Sequence, residues 1–421
     1  MSGRNLSRRE FLKGITVGVA GLSAAGAWAA DGGMKYRTLG RTGLKVSELG
    51  FGTSVNELSI PILAAGIERG VNYVDTSPNY GRGKSEETLG ELFKGSRVRD
   101  RMILCTKTSG MKLDADVERE LPERVEASLK RMRTDYLDIL MSPHGASRPE
   151  QVQNAAVFGA FEKLKKQGKA RFFGVSIHTN AAETALAAIQ SGYYDVVMTI
   201  VNVCTTSPAL MAEARALREA AMQADAAKGK GKSRPPPEVF DMRPVLAEAV
   251  KKNVGIVAMK AVGAVPQAIR DKAPAHFGQA SGMNVFQMCY KWALSQEGVA
   301  VAVAEMTSLQ MLEENLQVPH QKLALADREM LERAVAAAST RLCRMCGTCS
   351  AHCPRGVKVA DILRYGTYAT YAAHESPADL YRALAASERA SHCQDCGACE
   401  AACPAGVAVR ARLREAHRRL A

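Results

Sequence analysis

The chain has 421 residues, 56 Lys and Arg against 43 Asp and Glu, a formal charge of +13, and 47% hydrophobic residues. This is a globular composition, long enough for two domains. Neither aromatic–basic interleaving nor a helix-turn-helix pattern accompanies the positive charge, so nucleic acid is excluded as a partner.

Residues 1–29 read as a targeting segment. Ser7-Arg8-Arg9-Glu10-Phe11-Leu12-Lys13 resembles a bacterial twin-arginine export signal. A weakly apolar run rich in Ala and Gly follows from Gly14 to Gly26, and Ala27-Trp28-Ala29 has the small-x-small form of a cleavage site. The run is too short and too poor in Leu and Ile to span a bilayer comfortably. No other stretch reads as transmembrane. The expectation is a periplasmic protein delivered folded by the twin-arginine machinery, losing about three positive charges with its signal.

Residues 34–325 alternate short apolar runs with amphipathic helical patterns. The runs are Val46–Thr53, Tyr73–Thr76, Ile103–Lys107, Tyr136–Met141, Arg171–Ile177, Val196–Asn202, Gly255–Val262 and Gly298–Ala304. Between them, Ser85-Glu86-Glu87-Thr88 opens a helix with acidic residues in its first turn. Val125–Arg133 and Phe161–Gln167 are helical, the latter stopped by Gly168. Eight strands alternating with helices predict an α/β fold, a closed (β/α)8 TIM barrel. A doubly wound sheet competes, but no G-x-G-x-x-G follows the first strand.

Barrel chemistry sits at the C-terminal ends of the strands. Asp75 ends the second run, Tyr80 lies in the loop after it, Lys107 ends the third, and His144 follows the fourth. A tyrosine can protonate a developing alkoxide, an ammonium stabilises its phenolate, a carboxylate holds the ammonium, and a histidine orients a carbonyl. Singly, each has a plain explanation, such as a loop cap or a solvated strand end; together they suggest carbonyl chemistry. After the sixth strand, Pro208–Lys228 reads as a helix and Gly229–Pro237 as a flexible Lys/Gly/Pro-rich stretch. This is a solvated insertion, or else a lid or a docking site for an acidic redox partner.

Residues 326–421 hold two runs of the form C-x2-C-x2-C-x3-C-P: Cys343, Cys346, Cys349 and Cys353, then Cys393, Cys396, Cys399 and Cys403. This spacing holds [4Fe–4S] clusters, with the fourth cysteine of each run ligating the other cluster. One set is then Cys343, Cys346, Cys349 and Cys403, the other Cys393, Cys396, Cys399 and Cys353. Structural zinc favours separated C-x2-C pairs, and disulfides between thiols so close would be strained. The stretch between the runs suggests a small, mainly helical ferredoxin-like iron–sulfur domain. Two clusters of about −2 each bring the mature holoprotein near +6, a rough sum. Cys105, Cys204 and Cys289 read as buried thiols.

The barrel region resembles the aldo-keto reductases from about Tyr36 to Asn315. The resemblance rests on Tyr36-Arg37-Thr38-Leu39-Gly40-Arg41-Thr42-Gly43-Leu44-Lys45-Val46-Ser47, Leu49-Gly50-Phe51-Gly52-Thr53, Asn72-Tyr73-Val74-Asp75-Thr76-Ser77-Pro78-Asn79-Tyr80-Gly81 and Gly168-Lys169-Ala170-Arg171-Phe172-Phe173-Gly174-Val175-Ser176. It implies Tyr80 as general acid/base, Lys107 and Asp75 as its tuning pair, and His144 as the orienting group. With the cysteine tail, the chain resembles a bacterial subgroup fused to a ferredoxin-like domain. The resemblance also implies NADP(H) across the later strands, its amide held by Ser, Asn and Gln. Ser176 is kept, whereas Ile177 and Met198 replace the other two, with His178 or Asn202 as compensating residues. Met259 stands where a Tyr stacks on the nicotinamide, and Lys260 and Gly263 suit a phosphate. Ser308 begins the adenine-side helix, and Glu314 and Asn315 match adenine contacts. Thr307 replaces the arginine for the 2′-phosphate and Glu305 the preceding glycine, which leaves NAD(H) open beside NADP(H).

Two readings follow. One is an exported oxidoreductase that interconverts a small carbonyl and an alcohol with a nicotinamide nucleotide, with two [4Fe–4S] clusters linking it to a redox partner or electron carrier. The other is an iron–sulfur electron-transfer or binding protein whose barrel has lost or changed nucleotide-dependent turnover. Clusters move single electrons and nicotinamide moves hydride, and no flavin signature bridges them.

Overall fold

A computed structural model describes residues 33–54, 58–108, 111, 116–142, 146–212, 215–216, 241–264, 282–339, 343, 345–371, 376–403 and 406–421. The export signal, His144 and the stretch Gly229–Pro237 lie outside the described residues, as does most of the helix expected over Pro208–Lys228.

The chain opens with an antiparallel hairpin, β1 (Tyr36–Thr38) and β2 (Lys45–Ser47). Eight parallel strands then close into a barrel: β3 (Leu49–Gly52), β4 (Tyr73–Asp75), β5 (Ile103–Lys107), β6 (Leu137–Met141), β7 (Ala170–Ser176), β8 (Val196–Ile200), β9 (Gly255–Met259) and β10 (Val299–Ala304). β10 pairs with β3 to complete the ring. All eight expected runs form barrel strands. The difference lies at Val46–Thr53, which breaks at Glu48 into β2 and β3. Glu48 is held there by Arg37, whose guanidinium also donates to the carbonyls of Leu294 (2.6 Å) and Val299 (2.9 Å).

Strand alternation divides the apolar residues between two cores. Tyr73, Cys105, Ile139, Met141, Val196, Met198, Val257 and Val301 fill the barrel interior together with Leu39 and Val46 of the hairpin region. Val74, Leu104, Leu140, Val175, Val197 and Ile256 face outward into the layer of helices. The helix Val117–Met132 starts at Asp116, whose carboxylate accepts from the Arg119 amide (3.3 Å). It lays Leu121, Val125, Leu129 and Met132 on that layer at helical spacing. The helix Leu325–Ser339, at the expected domain junction, packs Leu331 and Val335 with Met288 and Trp292 of the barrel helix Val285–Leu294.

The C-terminal domain is helical and repeats itself. Each cysteine run passes through a left-handed residue, Met345 or Asp395, and a left-handed glycine, Gly347 or Gly397. A short helix follows, Thr348–Ala351 or Ala398–Ala401, and then a longer one, Val359–Tyr371 or Val409–Leu420. Val357, Ile362, Leu363, Val407, Leu413 and Leu420 form its core with Cys349 and Cys399. Tyr381 pins the two halves: its hydroxyl lies 2.6 Å from His417 Nδ1 and accepts from the Ala390 amide (3.1 Å). Among the described residues, no helix is long and apolar enough to cross a membrane.

Candidate functional site

Asp75 and Lys107 end adjacent parallel strands, β4 and β5, so both emerge at the same rim of the barrel. The Lys107 ammonium donates to both oxygens of Asp75, at 2.6 and 2.5 Å, and to the carbonyl of Thr76 at 3.0 Å. Both side chains are buried. Tyr80 opens a tight turn, Tyr80–Gly83, that connects β4 to the helix Lys84–Phe93. Its ring is half-buried, with Lys107 Nζ 5.1 Å from the ring centroid. Below the rim, Ser85 donates to Thr53 (2.7 Å) and meets the Thr76 hydroxyl (2.9 Å). The buried Glu86 accepts from Thr106 (2.6 Å) and pairs with Arg131 (2.7 Å). These contacts fix the strand ends on which the site stands.

The electrostatics favour a protonated phenol. Burial pushes the Tyr80 hydroxyl well above its ordinary range; the Lys107 ammonium opposes this, and Asp75 and Tyr368 add to it. Burial also raises the Asp75 carboxyl, with the Lys107 ammonium opposing. Burial alone would lower the Lys107 ammonium, but the fields of Asp75 and Tyr80 hold it above the ordinary lysine value. The arrangement is a neutral proton donor beside a buried ion pair, suited to protonating an oxygen that gains negative charge.

Further round the rim, Ser176 ends β7 and is buried, with its hydroxyl 3.3 Å from His178 Nε2. Asn202 is buried and donates to the Lys260 carbonyl (3.1 Å); its Oδ1 has no partner, leaving an acceptor for an amide N–H. Ser308 caps the helix Leu309–Leu316, accepting from the Met311 amide (3.1 Å). Glu314 accepts from Gln310 (2.9 Å) and Asn284 (3.2 Å), and Asn315 is buried. Glu305 accepts from Ser54, and the Thr307 hydroxyl lies 3.2 Å from Met311 Sδ. Gly263 is exposed in the turn Ala261–Ala264. Asn202 thus offers a buried, unpartnered acceptor at this rim, whereas Ser308 and Asn315 belong to the capped helix Leu309–Leu316.

Lys260, expected at a phosphate, points elsewhere. Its ammonium is 2.9 Å from His178 Nδ1, 3.5 Å from Met345 Sδ and 5.4 Å from the Tyr368 ring centroid. Met345 and Tyr368 belong to the C-terminal domain, which docks at this end of the barrel. Thr179 donates to Asp361 (3.2 Å), and Arg82 pairs with Asp379 (2.9 Å). Gly347 approaches so closely that a Cβ there would lie 3.2 Å from Thr179 Cγ2, and its φ of +83° already disfavours a side chain. Burial lowers the Lys260 ammonium below the ordinary lysine value; Tyr368 opposes this, the Arg364 guanidinium adds to it, and Cys343 opposes it less. The Tyr368 phenol falls below its ordinary value because Lys260 and Arg364 outweigh its burial. No local sequence signal marks Tyr368, Met345 or Asp361 as rim residues, since each depends on how the domains dock.

All eight expected cysteines line two cavities, in the two expected sets. Cys343, Cys346, Cys349 and Cys403 line one with Met345, Leu363 and Val407. Cys353, Cys393, Cys396 and Cys399 line the other with Arg355, Asp395 and Arg410. None of the eight forms a disulfide. Among the described residues, no three His, Cys, Asp or Glu side chains close on a single metal ion. Four thiols spread around a cavity suit a multi-iron cluster. Burial raises the Cys343, Cys349 and Cys399 thiols, Cys343 to about 11, and bound iron would deprotonate them.

Residues 39–229 match the model of the aldo/keto reductase family, and residues 337–404 match that of the 4Fe-4S dicluster domain. The chain carries an aldo/keto reductase domain followed by an iron–sulfur domain. The chain is 35% identical over 156 residues to the uncharacterized oxidoreductase YqkF of Bacillus subtilis, 34% of this chain and 49% of that protein. The match therefore spans about half the length of that relative. L-galactose dehydrogenase of Arabidopsis thaliana is 26% identical over 301 residues, 67% of this chain and 87% of the plant protein. In architecture, the reductase domain is similar to the aldo-keto reductase AKR11C1 of Bacillus halodurans (21% identity, TM-score 0.51, 72% of this chain and 96% of that one). It is equally similar to an aldo-keto reductase of Klebsiella pneumoniae solved with NADPH (22% identity, TM-score 0.51, 71% and 94%).

Proposed function

We propose that the protein is an exported oxidoreductase that interconverts a small carbonyl compound and its alcohol, with two [4Fe–4S] clusters connecting the barrel to a redox partner in the periplasm. One observation carries this reading: the buried Lys107–Asp75 pair, at 2.5–2.6 Å, stands against the Tyr80 ring at the barrel rim. Tyr80 gives its proton to the carbonyl oxygen as negative charge develops there, and takes it back in the alcohol direction. Lys107 stabilises the phenolate so formed, and Asp75 holds Lys107 in place. His144 is the orienting donor in this scheme. When bound, a nicotinamide nucleotide would supply the hydride to the carbonyl carbon, and [4Fe–4S] clusters would carry single electrons to or from the redox partner. Ser176, Asn202, Ser308, Glu314 and Asn315 would hold the nucleotide, as NADP(H) or NAD(H). Cys343, Cys346, Cys349 and Cys403 would hold one cluster, and Cys393, Cys396, Cys399 and Cys353 the other.

One observation favours the second reading, an electron-transfer or binding protein without nucleotide-dependent turnover. Ser176, His178 and Lys260 are joined in a chain of contacts that ends on Met345 and Tyr368 of the iron–sulfur domain, which ties up the residue proposed to hold the nicotinamide amide. Purification without oxygen, denaturation and mass spectrometry of released small molecules separates the two. Stoichiometric NADP(H) or NAD(H) supports the oxidoreductase. Intact clusters without nucleotide, and no turnover with added nucleotide, support the alternative.

A further inference from the structure

The domain contact holds a charge that the Tyr80 chemistry does not use. Lys260 follows β9 at φ +58°, a left-handed conformation that is unfavourable for lysine. From there its ammonium meets the His178 imidazole, the Met345 thioether and the Tyr368 side chain, with the Arg364 guanidinium as a second cation acting on the same phenol. Among the described residues, no carboxylate lies within ion-pair distance of it. A half-buried ammonium without a counter-ion is costly. The missing negative charge lies one step away. Met345 sits between Cys343 and Cys346 and lines the cavity of Cys343, Cys346, Cys349 and Cys403, and a cluster on four thiolates is an anion. The other cavity is lined by cations of its own domain and none from the barrel: Arg410, paired with Glu400 (3.1 Å), and Arg355, exposed to water, beside an exposed Cys396.

We propose that Lys260 is the electrostatic link between the barrel and the first cluster, selectively stabilising that cluster's reduced form and making it the inner of two relays. This rests on the reading that both cavities hold [4Fe–4S] clusters. Reduction adds one electron from an external donor, makes and breaks no bond, and increases the cluster's negative charge by one. Lys260 therefore favours the reduced state, and the second cluster serves as the outer port. By linkage, whatever binds the barrel beside Lys260 shifts this cluster's potential, and the cluster's oxidation state shifts that ligand's affinity equally.

The test is a redox titration, followed by electron paramagnetic resonance, of the full-length protein purified without oxygen and reduced with dithionite. The variants are Lys260→Met, Lys260→Arg and Lys260→Asn, the last because asparagine tolerates a left-handed backbone should methionine not fold there. A neutral residue at 260 should shift one of the two reduction equilibria about tenfold toward oxidation, about 59 mV for a one-electron couple, and leave the other unmoved. Arginine should restore it. In a Cys396→Ala background, where only the first cluster remains, the shift should persist. Movement of neither couple, or of both equally, overturns the proposal while leaving the two-cluster reading intact. A wild-type protein without two cluster signals overturns the reading itself.

Discussion

Replacing either member of the Lys107–Asp75 pair should harm the protein more than replacing both. The pair is 6% and 5% exposed in its side chains, and its ammonium bridges both carboxylate oxygens at 2.5–2.6 Å. With an effective dielectric of about 20, the gross attraction at this separation is about 6 kcal/mol, largely offset by the cost of burying two ions. Lys107→Met leaves the Asp75 carboxylate buried and unpaired; Asp75→Asn does the same to the ammonium. Breaking such a pair costs about 3–5 kcal/mol, or a fall of about 5–10 °C in the barrel's melting temperature. The double variant leaves no orphaned charge and should melt above both singles. Carbonyl turnover should fall in all three, because Tyr80 loses the ammonium, or its anchor, in each. The assay is anaerobic thermal unfolding by circular dichroism alongside steady-state carbonyl reduction. A double variant that melts at the sum of the two single losses would refute the reasoning, as would a Lys107→Met protein with full activity.

Further outcomes follow from the same geometry. Because burial raises the Tyr80 phenol above the ordinary tyrosine value of about 10, it stays protonated through that pH, and carbonyl reduction should show no alkaline loss below about pH 10. An alkaline limb near pH 8 in kcat/KM would contradict this. Cross-ligation predicts that Cys403→Ala and Cys346→Ala leave the same residual cluster spectrum, and that Cys353→Ala and Cys396→Ala leave the other. Each should cut iron from about eight to about four atoms per chain, and pairing within each run instead would be seen directly. At Gly90, a Cβ would lie 2.2 Å from the Arg131 backbone oxygen. Gly90→Ala should therefore push the helix Lys84–Phe93 off the helix Val117–Met132 at a cost of about 1–3 kcal/mol, visible as a lower melting temperature.

The barrel was legible because parallel strands buried on both faces leave continuous apolar runs. Ile103–Lys107 matches its run residue for residue, and Gly255–Met259 loses only the end of its own. The hairpin was not legible. Tyr36–Thr38 is mostly exposed, and β2 runs into β3 with only Glu48 between them, whose carboxylate is held by Arg37. Asp75 and Lys107 could be placed from sequence because strand ends fix them, and Tyr80 because it lies in the short connection that follows β4. The cysteine sets could be placed because ligand spacing is local. The chain from Ser176 through His178 and Lys260 to Met345 and Tyr368 has no local signature. It exists only where two separately encoded domains meet, and neither periodicity nor spacing records that contact.

The most direct test of the account is alcohol formation by the anaerobically purified protein, supplied with NADPH or NADH and a panel of small aldehydes, ketones and oxidised sugars, compared with Tyr80→Phe. Turnover should fall by about 10²–10⁴ in the variant, with iron content and melting temperature unchanged. Turnover that survives loss of the Tyr80 hydroxyl would contradict it.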